Sequence, residues 1–102
     1  MTTYSVDYKE NEAIVEVSGH ADYADSGYDI VCASISTACL VSANLFEHLN
    51  LCYNIIDVKS EKGYFKLQAK TDNEVALGII KNLEETLDEL QRQNPKNLKR
   101  KK

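Results

Sequence analysis

Apolar and polar residues alternate along two short runs near the start of the chain, with the period of two that a half-buried β-strand shows. The apolar positions are Tyr4, Val6 and Tyr8 in the first run and Ala13, Val15 and Val17 in the second. The polar segment KENEA joins the two runs. This arrangement predicts a β-hairpin with one face turned towards the core.

A different pattern extends from Asp29 to His48, a stretch without Gly or Pro in which apolar residues recur on most sides of a helical projection. The stripe consists of Ile30, Val31, Ile35, Ala38, Val41, Leu45, Phe46 and Leu49, and it is widened by Ala33, Cys39 and Leu40. A helix that is apolar on most sides is typical of a buried position. We therefore predict a central, buried helix.

The next pattern repeats the order of two strands and a helix. Runs at 53–58 and 64–70 flank the turn KSEKG, where Gly63 can adopt the positive φ that a tight turn favours. The segment TDNE then predicts the start of a last helix, with Thr71 in a capping box or Asp72 as the N-cap.

The last helix is expected to end before Pro95, because the residue ahead of a proline disfavours the helical conformation. Its inward stripe consists of Ala76, Ile80, Leu83, Leu87 and Leu90. The complete ββαββα order predicts an α+β fold, in which a central buried helix and a C-terminal helix pack on a small antiparallel or mixed sheet.

The charge of the chain is divided unevenly. Five of its 12 Lys and Arg residues lie at 96–102, which leaves seven against 16 Asp and Glu, a formal charge of −9, for residues 1–95. We predict a single domain over 1–95 and a basic, disordered tail over 96–102. The acidic domain suits a basic protein or peptide partner, and nucleic acid is expected only through the tail.

The sequence also indicates the cellular compartment of the protein. The first 13 residues have neither the basic nor the apolar region of a signal peptide. No apolar run in the sequence approaches the ~18 residues needed to cross a bilayer. The three Cys residues lack the spacing of a disulfide framework, which favours reduced thiols. These features predict a cytoplasmic protein that does not bind a membrane.

A His and a Cys lie 12 positions apart between the first hairpin and the central helix. His20 is expected at the exit of the second strand, and Cys32 in the first turn of the helix if Asp29 caps it. There the free N–H groups and the helix dipole favour thiolate over thiol, and a nearby His would act as a base. The alternative is a small buried Cys on a core helix together with a surface His.

Three pieces of sequence surround these two residues at fixed spacing. They are Gly19-His20-Ala21, then Gly27-Tyr28-Asp29-Ile30-Val31-Cys32-Ala33, then Ser36. In this combination the chain resembles the bacterial ribosomal-processing cysteine protease family, although residue 34 is Ser where the family more usually has Ala or Gly. Members are small cytoplasmic proteases, usually dimers, that remove a short N-terminal extension from large-subunit ribosomal protein twenty-seven.

The resemblance implies a cysteine endopeptidase with Cys32 as the nucleophile and His20 as its general base, without a metal or an organic cofactor. The residues expected to support them or to bind substrate are Gly19, Ala21, Asp22, Asp25, Gly27, Asp29, Ala33 and Ser36. The implied partners are the basic N-terminal peptide of a ribosomal protein precursor and a second copy of the chain.

The polar loop at 22–26 has a predicted role of its own. Its small and polar residues predict a loop that closes over a peptide, with Gly27 as the hinge. Asp22 and Asp25 would then orient His20 or meet a basic residue that follows the scissile bond. The alternative is that these two acids only solubilise the loop.

The remaining His and Cys residues are weaker candidates for a catalytic role. His48 lies about 24 Å along the helix from Cys32 at ~1.5 Å per residue, too far to act as its base. It is expected to interact with the helix C-terminus. Cys39 and Cys52 have apolar sequence neighbours and are expected to be inert core thiols, and no zinc-ligand pairs occur at short spacing.

A second function class fits the same residues. In that alternative the chain is a non-catalytic, ribosome-associated module that grips a basic peptide, and Cys32 is incidental. Rapid reaction of Cys32 with iodoacetamide near neutral pH would favour the protease, because only the thiolate is the nucleophile.

Overall fold

The computed structural model describes residues 1–19 and 26–101, with the side chains of residues 26–29 left aside. The element order ββαββα is confirmed, with a short fifth strand added at the end. The elements are β1 Thr2–Lys9, β2 Glu12–Ser18, α1 Ser26–His48, a 3-10 turn Cys52–Asn54, β3 Ile55–Glu61, β4 Tyr64–Lys70, α2 Glu74–Gln93 and β5 Leu98–Arg100.

The strands form one mixed sheet, and both helices contribute side chains to the core on one of its faces. The strand order is β3-β4-β2-β1-β5, in which β5 runs parallel to β1 and the other neighbours are antiparallel. Alternate strand residues such as Val15, Val17 and Leu67 are fully buried, as the sequence pattern predicts. Val31 and Ile35 of α1, with Ile80 of α2, complete that core. The predicted α+β fold is thereby confirmed.

Helix α1 begins earlier than its sequence pattern predicts. It starts at Ser26, so Asp29 is its fourth residue and does not cap it, and Cys32 is its seventh residue. The prediction that Cys32 lies in the first turn is therefore wrong. The physical reason is that the helix continues through Gly27, a residue that usually weakens helices and so hides the true start in the sequence.

The surroundings of α1 also differ from the expectation of a helix buried on most sides. One face packs in the core, but Ile30 is 67% exposed, Leu40 59% and Val41 52%. The span Ile30–His48 is long and apolar enough to cross a membrane by length and composition, contrary to the expectation from the sequence. The core helix of a globular fold passes the same test, and here Ile35 and Phe46 are fully buried in the hydrophobic core.

Helix α2 has a different N-cap from either predicted residue. The side-chain Oδ1 of Asn73 accepts hydrogen bonds from the backbone N–H of Val75 at 2.8 Å and of Ala76 at 3.2 Å. The N-cap is therefore Asn73, and the predicted candidates Thr71 and Asp72 do not cap the helix. The predicted inward stripe is confirmed at Ala76, Ile80, Leu83 and Leu87, with Leu90 partly buried.

The C-terminal segment is an ordered part of the fold. Leu98 is fully buried, and β5 pairs in parallel with the start of β1. The prediction of a disordered tail is therefore wrong for residues 98–101. A single buried Leu and the partners of Arg100, which lie on α2, order this strand despite its basic composition.

Candidate active site

Gly19 ends the second strand in a conformation that requires glycine. Its φ is +97°, and a Cβ at this position would come to 2.6 Å from the carbonyl oxygen of Met1. Its N–H donates to the carbonyl oxygen of Gly63 at 3.1 Å. The first residue of the Gly19-His20-Ala21 piece is thus fixed by backbone geometry, between the start of β1 and the β3–β4 turn.

Part of the predicted site lies outside the described residues. His20, Ala21, Asp22 and Asp25 belong to this part, together with the predicted loop closure. For Gly27 and Asp29 the structure gives only their positions, as the second and fourth residues of α1. The pairing of His20 with Cys32 and the hinge at Gly27 therefore stay predictions.

Cys32 lies in the second turn of α1, between two residues that anchor the helix. Val31 is 3% exposed and Ile35 is fully buried, whereas Cys32 is only partly buried. Ala33 and Ser36 are exposed. The alternative of a fully buried Cys is therefore not what the structure shows for Cys32, which is only partly buried.

A cavity of about 200 Å³ opens beside α1, one helical turn beyond Cys32. Ser36 contributes to its wall, and residues four apart on a helix lie on the same face, so the cavity lies on the Cys32 side of α1. Val17 and Phe65 give it apolar walls, while Glu61 at the end of β3 and Lys62 in the following turn add one charge of each sign. The cavity is large enough to take a side chain, but Cys32 is not among the residues that line it.

Sequence reasoning missed this cavity. Its walls come from α1, from the end of β2 and from the β3–β4 turn, which are far apart in the sequence. Gly63 marks that turn in the sequence, but nothing there indicates that Glu61 and Tyr64 face α1 across a gap. The hydrogen bond between Gly19 and Gly63 is the contact that holds the turn at this end of the sheet.

The other thiols behave differently from one another. Cys39 is 3% exposed, and burial raises the pKa of its thiol to about 12, which confirms the prediction of an inert core thiol. Cys52 is exposed, so the corresponding prediction is wrong for it. Its apolar sequence neighbours do not enclose it, because it lies in the short turn that leads into β3.

His48 and the acidic groups were the remaining chemical candidates. The ring Nδ1 of His48 donates to the carbonyl oxygen of Asn44 at 3.0 Å in the last turn of α1, as predicted for the end of a helix. Within the described ranges, no group of three or more His, Cys, Asp or Glu side chains is arranged to hold a metal ion.

The position of Cys32 changes which groups can stabilise an oxyanion. The N–H of a seventh helical residue points to the carbonyl four residues earlier, so the N–H of Cys32 is committed within α1. The free N–H groups of the helix belong to its first turn, at 26–29. The backbone N–H of Cys32 therefore does not serve as an oxyanion donor.

The comparison with protein families bears on the whole chain. The family model described as cysteine protease Prp matches residues 1–99. The chain belongs to the Prp family of cysteine proteases. No curated protein matches the chain in sequence.

Solved structures with the fold of Prp agree over almost the full length. The chain is similar to SMU.848 from Streptococcus mutans, with a TM-score of 0.85 and 23% identity, over 99% of this chain and 92% of that one. It is also similar to the essential ribosomal processing protease Prp from S. aureus in complex with a substrate peptide, with a TM-score of 0.83, 23% identity and coverage of 99% and 98%. A complex of the same S. aureus protease with a covalently linked product peptide matches with a TM-score of 0.77, 26% identity and coverage of 99% and 100%.

Proposed function

We propose that this protein is the endopeptidase that removes the N-terminal extension from the precursor of large-subunit ribosomal protein twenty-seven, in support of ribosome assembly. The observation that carries the proposal is the match of the Prp family model over residues 1–99, with a partly buried Cys32 one helical turn from a cavity of mixed polarity. The S. aureus relative, described as a ribosomal processing protease, was captured with a substrate peptide and with a covalently linked product peptide.

The chemistry assigned to Cys32 and His20 is acyl transfer in two steps. The thiolate of Cys32 attacks the scissile carbonyl carbon, and the carbonyl electrons move onto oxygen. Collapse of this intermediate breaks the C–N bond, and His20 gives its proton to the leaving amine. A water then loses a proton to His20 and attacks the thioester, which releases the new carboxyl terminus and regenerates Cys32.

The charge and shape of the site suit a ribosomal precursor peptide. Ribosomal proteins are basic in the segments that meet RNA, whereas this chain carries a formal net charge of −4. At the cavity, Val17 and Phe65 would hold an apolar residue, while Glu61 and Lys62 contribute one charge of each sign. Asp22 and Asp25 are proposed to meet a basic residue after the scissile bond.

A homodimer in the cytoplasm is part of the proposal. The exposed apolar residues Ile30, Leu40 and Val41 lie on one helix and have no cover among the described residues. A second copy of the chain is the proposed cover, because single-chain surfaces rarely leave so apolar a helix face open. Sedimentation equilibrium tests it: wild type should sediment as a dimer, and Val41→Asp should shift it towards the monomer.

The experiment for the proposed function uses the purified protein and the host's own precursor. A synthetic peptide spanning the extension and the first residues of the mature protein is incubated with the protein, and its products are identified by mass spectrometry. A single cut between extension and mature sequence supports the proposal. Binding of the peptide without any cut would contradict it and would support the non-catalytic binding module instead.

A further inference from the structure

The basic C-terminal segment is joined to the first residues of the chain by backbone hydrogen bonds. The N–H of Thr2 donates to the carbonyl oxygen of Asn97 at 3.0 Å, and the N–H of Lys101 donates to that of Tyr4 at 2.7 Å. Thr2 and Leu98, which face each other in this pairing, are both fully buried. Without β5, β1 would be an edge strand, and the ends of edge strands fray easily.

Arg100 connects this sheet edge to helix α2. Its Nη1 donates to both carboxylate oxygens of Asp88 at 3.0 Å, and its Nη2 donates to Glu84 at 2.8 Å. The hydroxyl of Tyr4 donates to the same Asp88, and the Arg100 guanidinium lies 5.9 Å from the centre of the Tyr4 ring. The three charged side chains are 21–35% exposed, so solvent screens their interactions only in part.

The contacts continue from β5 to the candidate active site. Met1 precedes Thr2, and the Met1 carbonyl oxygen abuts Gly19 so closely that no Cβ fits between them. On its other side Gly19 is held by the hydrogen bond to Gly63. A displacement of the start of β1 therefore moves a backbone contact of Gly19.

The same network reaches the helix that carries Cys32. Asp88 and Glu84 lie on α2, and α2 packs against α1. Arg100 is thus a link between two layers, beside the hydroxyls of Tyr4 and Tyr8 on β1, which donate to Asp88 and Glu84. One layer is the sheet end that holds Gly19, and the other is the helix pair that holds Cys32.

We propose that Arg100 is a positioning residue for the protease reaction, because it fixes Gly19, from which the chain enters residue 20, relative to α1 and Cys32. This inference rests on the proposed function. It also gives the basic tail a role: Arg100 is committed to Asp88 and Glu84, and does not serve as a free charge for RNA. The reaction rate depends on how the base and the nucleophile are placed, and a displacement of about 1 Å can lower it about a hundredfold.

The experiment compares Arg100→Ala and Arg100→Lys with wild type, and uses Arg92→Ala as the matched control. Arg92 also lies within reach of α2 carboxylates, but its partner Glu89 is on the same helix and both side chains are more than half exposed. We expect Arg100→Ala to lower kcat about tenfold while KM changes less than about twofold, since the cavity contains no residue of β5. Arg100→Lys keeps the charge but loses the bidentate geometry, so its kcat should lie between those of wild type and Arg100→Ala. Arg92→Ala should match wild type.

A second readout does not depend on peptidase activity. Hydrogen exchange of the Gly19 amide should become about tenfold faster in Arg100→Ala, while the amide of Leu67 in the centre of the sheet keeps its protection. If wild type fails to cleave the peptide, the proposed function is wrong, and the exchange of Gly19 still decides whether β5 supports this site.

A purely structural role of Arg100 predicts a different set of results. It predicts a lower melting temperature for both Arg100 variants, with wild-type kcat at temperatures where they are folded and unchanged exchange at Gly19. That combination would overturn the proposal. If Arg100→Ala does not fold, Arg100→Lys is judged by the same two readouts.

Discussion

Gly19 and Met1 meet where the second strand ends and the first begins, and their contact leaves no room for a side chain at position 19. A Cβ there would lie 2.6 Å from the Met1 carbonyl oxygen, with φ already at +97°. The glycine in front of His20 is therefore explained by backbone packing. In the proposed mechanism, Gly19 fixes the point from which the chain continues to His20.

Gly19→Ala should destabilise the protein, because both the positive φ and the short contact with Met1 are unfavourable for alanine. We expect a loss of about 1–3 kcal/mol in the free energy of unfolding, measured by urea denaturation. Gly78→Ala is the matched control, since Gly78 lies in α2 and a Cβ there meets nothing within 4 Å. That variant should gain about 0.5–1 kcal/mol. Equal effects of the two substitutions would show that position 19 is not constrained.

The three thiols should react with iodoacetamide in a definite order. Cys39 should stay unmodified at pH 8 in the folded protein, because burial raises its pKa to about 12. Cys32 and Cys52 are both accessible, so the informative comparison is between these two. We expect Cys32 to react faster near neutral pH, as measured by peptide mass spectrometry after timed quenching. A faster reaction at Cys52 would contradict activation of Cys32.

His20→Ala tests the base. Turnover of the precursor peptide should fall by at least ~100-fold, the loss typical of a missing general base. The dependence of Cys32 alkylation on pH should also move to higher pH, because a thiolate without its cationic partner is less favoured. His48→Ala is the control, since His48 donates to a carbonyl at the far end of α1. Identical alkylation profiles in His20→Ala and wild type would exclude His20 as the partner of Cys32.

The cap of α2 offers a test of the fold. Asn73→Ala should cost about 1 kcal/mol in unfolding free energy, because two N–H groups of the first turn lose their acceptor. Thr71→Ala should cost less, since Thr71 lies outside the helix and caps nothing. A larger loss at Thr71 would restore the capping box that the sequence suggests.

The fold could be predicted largely because its strands alternate cleanly and its helices carry apolar stripes. Val15, Val17 and Leu67 are buried where the period of two places them. The N-cap of α2 was missed because three adjacent residues can all accept hydrogen bonds, and only the path of the backbone selects Asn73. Strand β5 was missed because three residues give no period, and its stability comes from partners distant in the sequence.

The sequence proposes the residues of the candidate site but does not predict their geometry. The spacing of His20 and Cys32 pointed to a nucleophile and a base, and the family match agrees with a cysteine protease. The position of Cys32 within α1 was misjudged because the helix start at Ser26 has no strong sequence signal. The cavity could not be foreseen, since a gap between a helix and a turn depends on how layers pack.

The most direct test of the central claim is the rate of precursor cleavage by Cys32→Ala, measured by mass spectrometry beside wild type and a Cys52→Ala control. Alanine is well tolerated in a helix, so the variant should fold as wild type does by circular dichroism. We predict that Cys32→Ala produces no cleaved peptide while Cys52→Ala cleaves at the wild-type rate. Cleavage by Cys32→Ala at the wild-type rate would contradict the assignment of Cys32 as the nucleophile.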